Sequence, residues 1–186
     1  MTFAEIITPG GYAAGEVSSA MQKCIRRGLE DDALFWATEL DLAGFGEYVW
    51  KRLRIIASED VGLAEPSAAA TVRALYANWL DQRKKKDERH GPERLFLVHA
   101  VIELCRARKS RLVDHALIVH YEGPRTKRPV PDFALDHHTR RGKARQRGHT
   151  HFWEHGAKLS NAAAVPDAYA AQAREIRRDR QTELEL

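Results

Sequence analysis

Two cysteines, Cys24 and Cys105, stand among the 186 residues. That is too few for a disulfide framework, and both fall in apolar, helix-like patterns. They are expected to be buried free thiols in a reducing cytoplasm. No apolar run approaches the roughly 20 residues needed to cross a bilayer, so no membrane contact is expected. The stretch MTFAEIITPGG has neither the basic start nor the apolar core of a secretory signal. Nowhere does GxxxxGK(S/T) occur, so the backbone cradle and lysine that bind nucleotide phosphates are missing. HExxH, paired cysteines and an EF-hand loop are missing as well. Period-two alternation between turns is also lacking, which argues against strands.

What is present reads almost everywhere as helix. Val17, Met21, Cys24 and Ile25 share one helical face, closed by Gly28. Asp31 or Asp32 suits the N-cap of a second helix with Ala33, Trp36, Ala37 and Leu40, ended by Gly44. Val49, Leu53, Ile56 and Ala57 give a third face, ended by Gly62. Pro66 suits the first turn of a fourth, which carries Val72, Leu75, Tyr76, Trp79 and Leu80. The charged run 82–89 and the break at Gly91-Pro92 follow. Leu95 to Cys105 (LFLVHAVIELC) is apolar nearly all round, as expected of a helix central to a bundle. A further helix restarts near Ser110 and carries Leu112, Val113, Ala116 and Leu117. Residues 15–121 are therefore expected to form an antiparallel helical bundle. Residues 122–131 read as a proline-containing linker, and 132–186 as a basic, histidine-rich helical extension. The fold class is all-α.

Charge is divided along the chain. Residues 1–66 hold 6 Lys+Arg against 11 Asp+Glu, a net of −5, and residues 67–186 hold 24 against 15, a net of +9. The acidic front and basic back point to faces with different partners, and a polyanion suits the second.

The stretch AMQKCIRRGLEDDALFWATELDLAGFGEYVWKRLRIIASEDVGLAEP (20–66) resembles the C-terminal part of the replication-associated recombination protein A family. These are the bacterial relatives of Werner-helicase-interacting protein, ATPases of the clamp-loader type. HGPERLFLVHAVIELCRARKS (90–110) is similar as well, with Gly91, Pro92 and Glu93 at the helix start and the pair Lys109-Ser110. The likeness covers residues 15–120 and is strongest at 55–66. Only PVPDFAL (129–135) is reminiscent of the family beyond residue 122. The resemblance implies an all-helical, collar-like module that lies behind an ATPase and holds subunits together as a homotetramer. It does not carry ATP hydrolysis here, because the phosphate-binding loop is missing and no ATPase core fits before residue 15.

Glu59 and Asp60 are adjacent acids near a helix C-terminus, where the helix dipole disfavours negative charge. Neighbours in sequence point roughly 100° apart on a helix, so the two do not face each other as a general acid and base. They are expected to be a structural acid pair held by arginine, with Arg26, Arg27, Arg52 and Arg54 as the available partners.

The segment DHHTRRGKARQRGHTHFWEH (136–155) holds five of the nine histidines. Its spacing fits no standard zinc pattern, so no metal ligand is assigned. From Arg125 to Arg147 there are eight Lys+Arg and two acids. Arg128, Arg140, Arg141, Lys143, Arg145 and Arg147 are the expected nucleic-acid contacts. Phe133, Phe152 and Trp153 lie beside them and suit stacking on single-stranded bases. The aromatics also suit packing of this segment onto the bundle.

No catalytic residue and no cofactor is expected. The expected function is a non-enzymatic, self-associating module of DNA replication or repair, contacting DNA or a replication or repair protein. The alternatives are two. One is a metal-dependent phosphodiester hydrolase, with His151 and His155 on one helical face, His138 as third ligand, and Asp136 and Glu154 completing the site. The other is a scaffold that touches no nucleic acid.

Overall fold

A computed structural model describes residues 3, 6–83 and 92–184, and of residues 178–184 the backbone alone. The described residues are all-α, apart from one isolated antiparallel bridge between Ile7 and Ala13. Contacts divide the chain into two compact units, 1–125 and 126–186.

The first unit is a helical bundle. Helix α1 (Ala14–Arg27) turns Val17, Met21 and Ile25 inward and ends at Gly28, whose φ of 70° is the left-handed conformation that closes a helix. Helix α2 (Glu30–Leu42) follows at once. Its N-cap is Leu29, while Glu30, Asp31 and Asp32 occupy the first turn. The acids therefore act through the helix dipole and not as the side-chain cap expected of Asp31 or Asp32. Helix α3 (Gly46–Ile56) buries Val49, Trp50, Leu53 and Ile56. It runs into a π-helical turn, Ala57–Val61, and a single 3-10 turn, Gly62–Ala64.

Helix α4 (Ala68–Arg83) starts two residues after Pro66, which precedes the helix rather than sitting in its first turn. Most of the charged run 82–89, and Gly91, lie outside the described residues. Helix α5 (Glu93–Arg106) packs against each of α1 to α4, the central place its apolar sequence implies. Its burial is one-sided nonetheless, because Leu97, Ala100, Val101 and Leu104 are buried while Leu95 is exposed. Trp50 and Trp79 meet with ring centroids 5.9 Å apart and are both buried. Large side chains of this kind each contribute about 1.5–3 kcal/mol on burial. Helix α6 (Leu112–Leu117) continues into a π-helical turn, Ile118–Glu122.

In the second unit, residues 126–131 carry no helix. A 3-10 turn, Asp132–Ala134, leads to the short α7 (Arg140–Ala144). One turn of helix, α8 (His149–His151), passes into the π-helical turn Phe152–Gly156, and α9 (Ala170–Leu184) follows. No described helix is long and apolar enough to cross a membrane.

Candidate functional site

Two groups of polar residues stand out, one in each unit. In the first, the π-helical turn after α3 carries Glu59 and Asp60 back toward α1. Asp60 is fully buried. Arg26 on α1 donates Nε to Asp60 Oδ1 at 2.6 Å and Nη2 to Glu59 Oε1 at 3.1 Å. Gln22, one helical turn earlier, donates its amide to Glu59 Oε1 at 3.0 Å and to Asp60 Oδ2 at 3.2 Å. Arg52 in turn donates to Gln22 Oε1.

Both acids thus converge on one arginine and one glutamine, although regular helical spacing would splay them. The inserted residue of the π turn makes the difference. Of the other arginines named from sequence, Arg27 bonds the Lys23 carbonyl and Arg54 the Trp50 carbonyl. Arg111, 3.8 Å from Glu59, joins from the start of α6. The backbone N–H of Ser110 donates to the Asp60 carbonyl at 2.9 Å. Lys109 donates to the carbonyls of Cys105 and Ala107, and desolvation holds its ammonium below the usual lysine range. The cluster ties α1, the π turn and the α5–α6 connection together. Within it Asp60 is fully buried, and the carboxylates of both acids are engaged by Arg26 and Gln22. Gln22 and Arg111 were not among the partners named from sequence, which were the arginines of α1 and α3.

In the second unit the basic residues separate into two sets. Arg145 and Arg147 both reach Asp132, each at 2.6 Å. Arg147 also donates to the carbonyls of Asp132 at 2.8 Å and Leu135 at 2.9 Å, and it is mostly buried. Its hydrogen bond, with the charge of both arginines, holds the Asp132 carboxyl below the ordinary aspartate range. These two arginines bind the chain to itself. Arg140, Arg141 and Lys143 stand exposed on α7, and Arg128 is exposed on the segment before it. None of these four has an ion-pair partner among the described residues. Thr139 caps α7 through its hydroxyl, which accepts from the Gly142 N–H at 3.0 Å.

The histidines also separate. His137 lies 3.8 Å from His138 and 4.3 Å from His149, measured between ring centroids, with Phe152 against both His137 and His138. Burial, helped by the charges of His138 and His149, holds His137 below the usual histidine range. His151 and His155 pair with each other at 4.8 Å. Of the metal set read from sequence, Asp136 and His138 belong to the group whose ligand atoms converge, with His137 as its third member, whereas His151, Glu154 and His155 are outside that group.

This all-helical chain, without a nucleotide-binding loop in its 186 residues, belongs to a family of ATPase C-terminal modules. Residues 29–183 match the family described as MgsA AAA+ ATPase C terminal. The matched region is the part that lies outside the ATPase core, and the match runs well beyond the residues 15–120 that carried the resemblance. Among curated proteins, the chain is 40% identical over 111 residues to the replication-associated recombination protein A of Bacillus subtilis, covering 58% of this chain and 25% of that protein. It is 29% identical over 157 residues to the protein of the same name in Haemophilus influenzae, covering 84% of this chain and 32% of that protein. For the Escherichia coli protein the figures are 27% over 158 residues, 83% and 33%. The chain thus spans a quarter to a third of the length of the relatives it matches.

Proposed function

We propose that this chain is a non-enzymatic, self-associating module of DNA replication or repair whose second unit holds a nucleic acid through α7. The observation that carries the reading is the set of unpaired cations Arg140, Arg141 and Lys143 on one short helix, with Arg128 nearby in sequence. Cations already committed to carboxylates contribute little to phosphate binding, and these are uncommitted. The names of the relatives, which speak of replication-associated recombination, favour DNA as the polyanion. Self-association with a second copy of the chain, as a tetramer by family resemblance, is supported by the exposed apolar side chains of Leu112, Leu117, Ile118, Val119 and Tyr121 in the first unit. A replication or repair protein is the alternative occupant of that face.

The test is fluorescence anisotropy with single-stranded and forked DNA over a salt series, using wild type beside Arg140→Ala/Arg141→Ala/Lys143→Ala. Three lost phosphate contacts on a single strand are expected to lower the slope of log K against log salt by about two. Affinity at low salt should fall with it. Binding that is absent at low salt, or equal in the triple variant, removes the nucleic-acid reading. Sedimentation of the same samples then decides the rest: an oligomer leaves the scaffold, and a monomer leaves neither part standing.

A further inference from the structure

We propose that Asp136, His137 and His138 form a binding site for one divalent transition-metal ion of the zinc class, which staples the 126–186 unit. One ligand atom from each of the three lies within 4.8 Å of the other two. Ligand atoms on a common zinc ion sit roughly 3.3 Å apart when each bond is about 2.0–2.1 Å, so small side-chain rotations close the set.

The local backbone prepares the residues for this. The Asp136 carbonyl accepts from both the N–H and the hydroxyl of Thr139, each at 3.0 Å, which fixes the turn. Asp136 Oδ1 accepts from the His138 N–H at 2.9 Å, and Oδ2 has no hydrogen-bond partner among the described residues. His137 Nδ1 is buried and also without a partner. A buried ring nitrogen left unpaired is costly, and a metal bond removes that cost. His137 and His138 border an open cavity of about 510 Å³ that also touches His149, Phe152 and Arg177, so an ion has a path in. His149 offers a further imidazole close to His137.

The donor set selects the ion. Magnesium and calcium rely on several oxygen ligands, and here a single carboxylate stands among imidazoles, with the positive Arg177 on the cavity wall. Nitrogen donors suit zinc and its neighbours in the first transition row.

The composition of the unit shows why a staple belongs here. Among the described residues of 126–186, Leu135 is the one buried hydrophobic side chain. The chain has no cysteine after Cys105, so no disulfide holds this part. Small units with so little core are commonly held by metals or disulfides.

The experiment uses the full chain without a histidine tag, stripped with chelator and titrated with zinc alone by calorimetry, with magnesium as the comparison. One zinc per chain is expected, with no magnesium binding, and zinc should slow proteolysis within 126–186. His137→Gln/His138→Gln should weaken zinc binding on the order of 100-fold or more, whereas His151→Ala/His155→Ala should leave it unchanged. The visible absorption of added cobalt reports the site in wild type without any variant. Failure of wild type to take up stoichiometric zinc overturns the proposal. So does zinc binding that survives in the first double variant, or that is lost in the second.

Discussion

Residues 1–125 bury Trp50, Leu53, Ile56, Trp79 and Leu104, whereas the described residues of 126–186 bury one hydrophobic side chain, Leu135. The second unit is ordered instead by directional contacts. Arg147 bonds two carbonyls and a carboxylate, Thr139 caps a five-residue helix, and three imidazoles lie ring to ring. Apolar burial is spread over many side chains and tolerates small losses, while a directional contact is lost whole when one partner goes. The comparison therefore predicts where single substitutions hurt. In the first unit they hurt at Asp60, the one buried charge among its described residues, and in the second at the joints of its backbone.

The largest effect is expected from Arg26→Ala. It removes the Nε donor 2.6 Å from a fully buried Asp60 and leaves that carboxylate without its counter-charge. Breaking one side of a buried pair typically destabilises by about 3–5 kcal/mol. Urea unfolding followed by tryptophan fluorescence measures it, with Glu59→Ala as a milder companion because Glu59 is partly exposed. A loss below about 1 kcal/mol would mean that Gln22 alone satisfies Asp60, and that the charge is not the weak point of the apolar unit.

The bundle was legible because burial in a helix leaves a 3.6-residue period, and Val17, Met21 and Ile25 or Val49, Leu53 and Ile56 carry it plainly. The acid pair was legible as an anomaly, two adjacent acids where the helix dipole resists them. Its geometry was not, since a π turn has no composition signature and Gln22 is 38 residues from Asp60. In the second unit no period exists to be read. Eight basic residues in a row of glycines and prolines look alike in sequence, and only Asp132 distinguishes Arg145 and Arg147 from Arg140, Arg141 and Lys143. The metal alternative was legible in part, since it named Asp136 and His138 but not His137. His151 and His155 have helical spacing, but the ligand atoms that converge come from a turn, where adjacent residues can point together.

Gly142→Ala probes the backbone joints. A Cβ on Gly142 would sit 1.7 Å from the Asp136 carbonyl oxygen and 2.7 Å from that of Leu135, both backbone atoms that cannot swing aside. Helix α7 must then lift from the turn that carries Asp136. The expected destabilisation is about 1–3 kcal/mol, confined to the second unit. Gly44→Ala is the matched change in the first unit. At Gly44 nothing lies within 4 Å of the added Cβ, so the cost is the left-handed backbone alone, roughly 1–2 kcal/mol. Amide hydrogen exchange resolves the two. Lost protection across 135–147 in the first variant, with the 1–125 amides unchanged, supports the contrast. Uniform loss in both units would erase it.

The smallest effect, and the sharpest in its pH dependence, belongs to Asp132. Its carboxyl is held below the ordinary value of 3.8 chiefly by the hydrogen bond from Arg147. A carboxyl depressed in the folded state adds stability that is fully present above its unfolded value and is lost as pH falls through its folded value. The ties to Arg145 and Arg147 should therefore be constant from neutral pH down to about 4, and should weaken only below that. Amide shifts of residues 132–147, followed by NMR down the acid limb, should show the step in wild type and lose it in Asp132→Asn. Identical titrations below pH 4 would mean that Arg147 holds the turn through the carbonyls of Asp132 and Leu135 alone. The second unit would then depend on backbone acceptors rather than on charge.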